Sequence, residues 1–132
     1  MEDAPEVGIP VLVQAWLPVL IWMTVIFLFS SQPYSGAVTE RFFGTYNVPV
    51  RKIGHAAEYA ILYLLSRRAF ALSGQWWHGK ASLFGLILAC LYALTDEWHQ
   101  SFVPGRSAAL SDAGIDSIGA LCAFAVQRFL KK

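Results

Sequence analysis

Asp96-Glu97-Trp98-His99-Gln100-Ser101-Phe102-Val103-Pro104-Gly105-Arg106 gathers acids, a glutamine and an arginine where one strongly apolar segment ends and another begins. Such a cluster is costly in a chain this hydrophobic, because a polar group that meets hydrocarbon unpaired loses several kcal/mol. Similar groups recur in three other stretches. These are Ser30-Ser31-Gln32-Pro33, Arg51-Lys52-Ile53-Gly54-His55-Ala56-Ala57-Glu58, and Asp112 with Asp116.

The 132 residues leave room for a single domain. Hydrophobic residues make up 56% of them and charged residues 14%, against roughly 25% charged in an average soluble domain. With a mean hydropathy of +0.48, the composition points to an integral membrane protein. A net charge of +1, with no basic run longer than two residues, argues against a nucleic-acid footprint. Cys90 and Cys122 lie inside apolar runs, where a thiol behaves as a small hydrophobe, and they form no CxxC or zinc spacing.

Four membrane spans are expected, giving an all-α integral membrane bundle of four transmembrane helices. Residues 11–29 carry no charge; as a helix they rise about 28 Å, close to the hydrocarbon thickness of a bilayer. Pro18 is tolerable in such a helix. A cleaved signal peptide is the rival for this segment, but Glu2, Asp3 and Glu6 precede it where a signal peptide carries positive charge. The second span, residues 53–72, is interrupted by Arg67-Arg68, whose side chains can snorkel to the head groups. Residues 81–98 and 113–130 form the third and fourth. A soluble helical bundle with an unusually apolar core is the alternative, disfavoured by the uncharged first segment and the low charge.

Four spans place both termini and the 67–80 loop on one side, with Arg67, Arg68, Lys80, Arg128, Lys131 and Lys132. Arg41, Arg51, Lys52 and Arg106 fall on the other. The positive-inside rule then sets both termini in the cytoplasm. The alternating chain direction also brings all four polar stretches to one surface, the extracytoplasmic one.

His55 and Glu58 lie one helical turn apart, on a stripe shared with Tyr59 and Leu62. They can act as general base and acid or as paired ligands, or simply satisfy one another. Asp96 stacks with Gln100 at i, i+4, while Glu97 points about a quarter-turn away. Arg106 follows the Pro104-Gly105 turn, placed either to clamp a phosphate or carboxylate or to form a salt bridge to Asp96, Glu97 or Asp112. Asp112 and Asp116 share a stripe with Gly119 and Ala123, a small-residue seam suited to close helix packing in lipid. Ser111 or Asp112 reads as the N-cap. The donors are mostly oxygen, so a hard divalent cation is the metal this set would suit, though no metal signature of known spacing is present. No GxSxG, P-loop or HExxH motif occurs. Trp76-Trp77-His78 reads as an interfacial anchor, and His99 as a solvated interfacial residue.

In this order, Ser31-Gln32-Pro33, Lys52…His55…Glu58-Tyr59, Asp96-Glu97…Gln100…Phe102-Val103-Pro104-Gly105-Arg106 and Asp112…Asp116…Gly119 resemble the VanZ-like family of small bacterial membrane proteins. The resemblance covers roughly residues 30–125. Asp116 falls where the family pattern takes Asn or Asp. The family is named for a component of glycopeptide-resistance clusters that lowers susceptibility to teicoplanin. It implies an envelope-facing protein of the bacterial cytoplasmic membrane, and it supplies no catalytic assignment.

The residues themselves suggest a polar pocket for an envelope amphiphile: a lipid-linked wall precursor, a teichoic-acid-like polymer or a lipoglycopeptide. Arg51, Lys52, Gln32, Gln100 and Arg106 are the candidate binding groups. His55, Glu58, Asp96, Glu97, Asp112 and Asp116 are the candidate reacting groups. A non-catalytic subunit of a transport or biosynthetic complex is the alternative.

Overall fold

A computed structural model describes residues 7–106 and 108–131, and among these residues all regular structure is helical. Helix α1 spans Ile9–Ser30, α2 Ser35–Phe43, α3 Asn47–Leu72, α4 Gln75–His78, α5 Ala81–Gln100 and α6 Leu110–Leu130. A single 3₁₀ turn, Gly44–Tyr46, joins α2 to α3.

Three helices, α1, α5 and α6, are long and apolar enough to cross a membrane. The expected fourth, α3, is not among them. At 26 residues it is the longest helix, but it is the least apolar of the four, carrying Arg51, Lys52, Glu58, Arg67 and Arg68. It also starts six residues before the expected boundary of residue 53. Pro49 sits in its first turn, where a missing N–H leaves no helical hydrogen bond unmade.

That composition follows from position, because α3 is the central helix and packs against α1, α5 and α6. Tyr59, Leu62, Tyr63, Ser66 and Ala69 repeat at helical spacing and are buried. The two tyrosine hydroxyls are spent inside the bundle. Tyr59 Oη donates to Asp96 Oδ2 at 3.1 Å, and Tyr63 Oη donates to Gln127 Oε1. At the other end Arg67 Nε donates to Ser82 Oγ at 3.3 Å.

Pro18 stands inside α1 and cannot donate to the carbonyl of Gln14. Arg68 Nη1 of α3 donates to that carbonyl instead, at 3.4 Å. Helices α3 and α6 are in tight contact at Gly119, where a Cβ would stand 1.9 Å from the Ala56 carbonyl oxygen. This is the seam expected from the spacing of small residues. Helix α2 was not foreseen. It is too short to be stable alone, and it leans on α3 with Gly36 beneath the Arg51 guanidinium.

Trp76 and Trp77 of α4 cluster with Phe70 and Phe84 at the end of the bundle that also holds the Trp16–Ser73 hydrogen bond. The polar stretches lie at the opposite end.

Candidate functional site

The end of α1, the start of α3, the end of α5 and the start of α6 meet there, and their contacts are specific. Gln100 Nε2 donates to Ser30 Oγ at 3.1 Å and to Asp96 Oδ2 at 3.2 Å. Arg106 Nη1 donates to the Ser30 carbonyl at 2.6 Å. His55 Nδ1 lies 3.4 Å from Glu58 Oε2 and 3.9 Å from Asp116 Oδ1.

These segments enclose a cavity of about 290 Å³. Its walls include Arg51, Lys52 and His55 from α3, Glu97 and Gln100 from α5, Arg106 from the following loop, and Asp112 and Asp116 from α6. Eight of the eleven residues expected at the site therefore line one space. Asp96 lies behind the wall, 3% exposed, with its carboxylate held by Tyr59 and Gln100. Glu58 stands beside His55 without being a wall residue. Gln32 is elsewhere: it is exposed and donates to the Leu28 carbonyl one turn back.

Glu97 has a structural task that spacing does not disclose. Its Oε1 accepts the backbone N–H of Ala109 at 2.6 Å, and Ala109 is the residue that caps α6. A capping box does this with a glutamate in the first turn of the same helix; here the acceptor comes from α5. The N-cap is thus Ala109 instead of Ser111 or Asp112. Asp112 falls in the first turn, where its charge still suits the helix dipole.

Arg106 makes no salt bridge among the described residues. It donates to the Ser30 and Phe29 carbonyls that end α1, and its Nε is buried without a partner among the described residues. Burial, and then the neighbouring Arg51 charge, lower its pKa from the usual arginine value; a guanidinium remains protonated even so. The Pro104-Gly105 turn that presents it is fixed from the residue that precedes α2. Tyr34, itself in a left-handed conformation, donates its N–H to the Pro104 carbonyl, and its ring packs on Gly105. The sequence carried no signal for this contact. His99 is more than solvated: it stacks on Phe27 and shares a 3.0 Å hydrogen bond with Ser31.

Among the described residues, no three His, Cys, Asp or Glu side chains are arranged to hold a metal ion. The cavity instead offers cations and carboxylates that face one space without pairing.

A family model described as VanZ/LLP1 matches residues 15–131, a range that includes every wall of the cavity. The chain belongs to the VanZ/LLP1 family. No curated protein and no solved structure matches it. Family membership and three membrane-length apolar helices together make this VanZ/LLP1 chain a multi-pass membrane protein.

Proposed function

We propose that this VanZ/LLP1 protein recognises the anionic head group of a membrane amphiphile at the extracytoplasmic face of a bacterial cytoplasmic membrane. The observation that carries the reading is that Arg51, Lys52 and Arg106 line one cavity, and none pairs with a carboxylate among the described residues. Unneutralised cations held around a concave site are the means by which proteins bind phosphate and carboxylate.

The orientation rests on α3 being the fourth span. At about 1.5 Å per residue it is long enough. Its polar groups weigh against it only in composition, since Tyr59, Tyr63, Arg67 and Arg68 bond to other helices. Both termini are then cytoplasmic, and the cavity opens at the head-group level of the outer surface. An envelope amphiphile meets that surface, be it a lipid-linked wall precursor, a teichoic-acid-like polymer or a lipoglycopeptide. Tolerance of teicoplanin is the cellular outcome to test.

Binding is favoured over catalysis by how the polar groups are committed. Glu97 holds Ala109, Asp96 holds Tyr59 and Gln100, and among the described residues the cavity wall contains no serine, threonine or cysteine. Any hydrolysis falls to water activated by His55 and its acids. The same commitments are what a structural network in a larger transport or biosynthetic complex would need.

The deciding experiment titrates the purified chain in non-ionic detergent with short-chain phosphatidic acid, read by native mass spectrometry. Neutralising Arg51 or Lys52 to Gln should weaken binding about fivefold to tenfold each, the size of one charge-assisted contact near 1 kcal/mol. Glu58→Gln and His55→Gln should leave it unchanged, whereas a catalytic role would lower turnover by roughly two to four orders of magnitude. No binding by the parent chain, with teicoplanin sensitivity unaltered on expression, would favour the structural component.

A further inference from the structure

The cationic side of the cavity is only half of it. Asp116 is 4% exposed, lines the same space and accepts no hydrogen bond among the described residues. His55 Nδ1 lies 3.9 Å from it, beyond hydrogen-bond range, and carries a charge only when protonated. Asp112 lines the cavity one turn nearer the helix start, and among the described residues no hydrogen bond reaches its carboxylate either. Buried carboxylates are normally hydrogen-bonded, as Asp96 is by Tyr59 and Gln100 and Glu97 by the Ala109 N–H. A carboxylate left bare in a cavity wall needs donors from whatever enters.

Arg51, Lys52 and Arg106 share that cavity, yet none lies within ion-pair distance of Asp112 or Asp116. The two signs are held apart by being mounted on different helices. The guanidinium of Arg51 rests against Gly36 of α2, and Arg106 is tied to the α1 carbonyls. A purely anionic ligand satisfies the cations and meets repulsion at Asp116. A ligand bearing both charges satisfies both walls.

We propose that the cavity takes a zwitterionic amphiphile head group, with its phosphate at Arg51, Lys52 and Arg106 and a primary ammonium at Asp116 and Asp112. This rests on the phosphate-binding reading above and adds the second subsite. The ammonium is primary because its three N–H groups can donate to carboxylates. A quaternary ammonium has no such donor and is typically caged by aromatic rings, and among the described residues the cavity wall contains no Phe, Tyr or Trp.

The test compares dihexanoyl phosphatidylethanolamine, phosphatidylglycerol and phosphatidylcholine on the purified full chain in non-ionic detergent. Phosphatidylethanolamine should bind at least tenfold tighter than either of the others. Asp116→Asn should abolish that preference while leaving phosphatidylglycerol affinity the same or higher. Equal affinity for phosphatidylethanolamine and phosphatidylglycerol would overturn the ammonium subsite and leave the phosphate reading standing. Failure of all three to bind would overturn both. If Asp116→Asn does not fold, competition on the unaltered chain by O-phosphoethanolamine against glycerol 3-phosphate decides the matter, with the former expected to displace lipid at lower concentration. Free O-phosphoethanolamine binding as tightly as the lipid would overturn the amphiphile as the source of the head group.

Discussion

Arg106 donates from Nη1 to the carbonyl of Ser30 at 2.6 Å, joining residues 76 positions apart in the chain. One guanidinium thus closes the C-terminal end of α1 and lines the cavity beside it. Stability and recognition are coupled at this residue, so its substitution should report on both.

Arg106→Gln should destabilise the fold by about 1.5–3 kcal/mol, the usual worth of a hydrogen bond to a charged group, visible as a lower melting temperature in detergent. Arg106→Lys keeps the charge and loses the planar fork. It should retain much of the phosphatidic-acid affinity while recovering little of the melting temperature. Full recovery of both would mean that charge alone matters at this position.

Glu97 separates a structural carboxylate from a reactive one. Glu97→Gln still offers an oxygen to the Ala109 N–H, whereas Glu97→Ala strands that donor at a cost of about 1–3 kcal/mol. Thermal denaturation should therefore rank parent, Gln and Ala in that order, with ligand binding by the Gln variant near that of the parent. A Gln variant that folds normally and loses all function would instead place Glu97 in the chemistry.

Two glycines on α6 make a matched pair. Gly119→Ala puts a methyl group 1.9 Å from the Ala56 carbonyl oxygen, while a Cβ at Gly114 meets nothing within 4 Å. The first should cost at least about 1–3 kcal/mol, as overpacking does. The second should be neutral or slightly stabilising, since Ala is the better helix former. Equal melting temperatures for the two variants would contradict the α3–α6 contact.

Gly105 has φ 76° and would also drive a Cβ into the Tyr34 ring, 2.3 Å from its nearest carbon. Gly105→Ala should lower the melting temperature and loosen the Arg106 loop. Adding Tyr34→Ala removes the clash but not the backbone strain, so it should restore only part of the loss. Complete rescue would assign the whole effect to the ring.

Topology can be read by cysteine labelling in whole cells after Cys90 and Cys122 are replaced by Ala. Tyr46 and Gln75 are both exposed and belong to opposite ends of the bundle. A membrane-impermeant maleimide should label Tyr46→Cys and spare Gln75→Cys. The reverse pattern would put the cavity in the cytoplasm.

What could be read beforehand depended on the range of the interaction concerned. Helices α1, α5 and α6 were legible because a largely apolar run of membrane length is a local property. Gly119 was legible because small residues at helical spacing mark a packing face. Helix α2 was not, since nine residues with little helical bias are held in place by α3. Helix α3 was expected as a fourth span, yet Arg51, Lys52, Glu58, Arg67 and Arg68 leave it outside the set of helices apolar enough to cross a membrane.

Which residues would gather at one end of the molecule was decided by the sequence alone, through the alternation of apolar segments and polar junctions along the chain. Which of them remain available to a ligand was decided only in three dimensions. Glu97 is taken up by Ala109, Asp96 by Tyr59 and Gln100, and part of Arg106 by α1, leaving Arg51, Lys52, Asp112 and Asp116 uncommitted around the cavity. A carboxylate's chemistry is set by the donors that reach it within about 3 Å, and those donors come from residues far away in the chain.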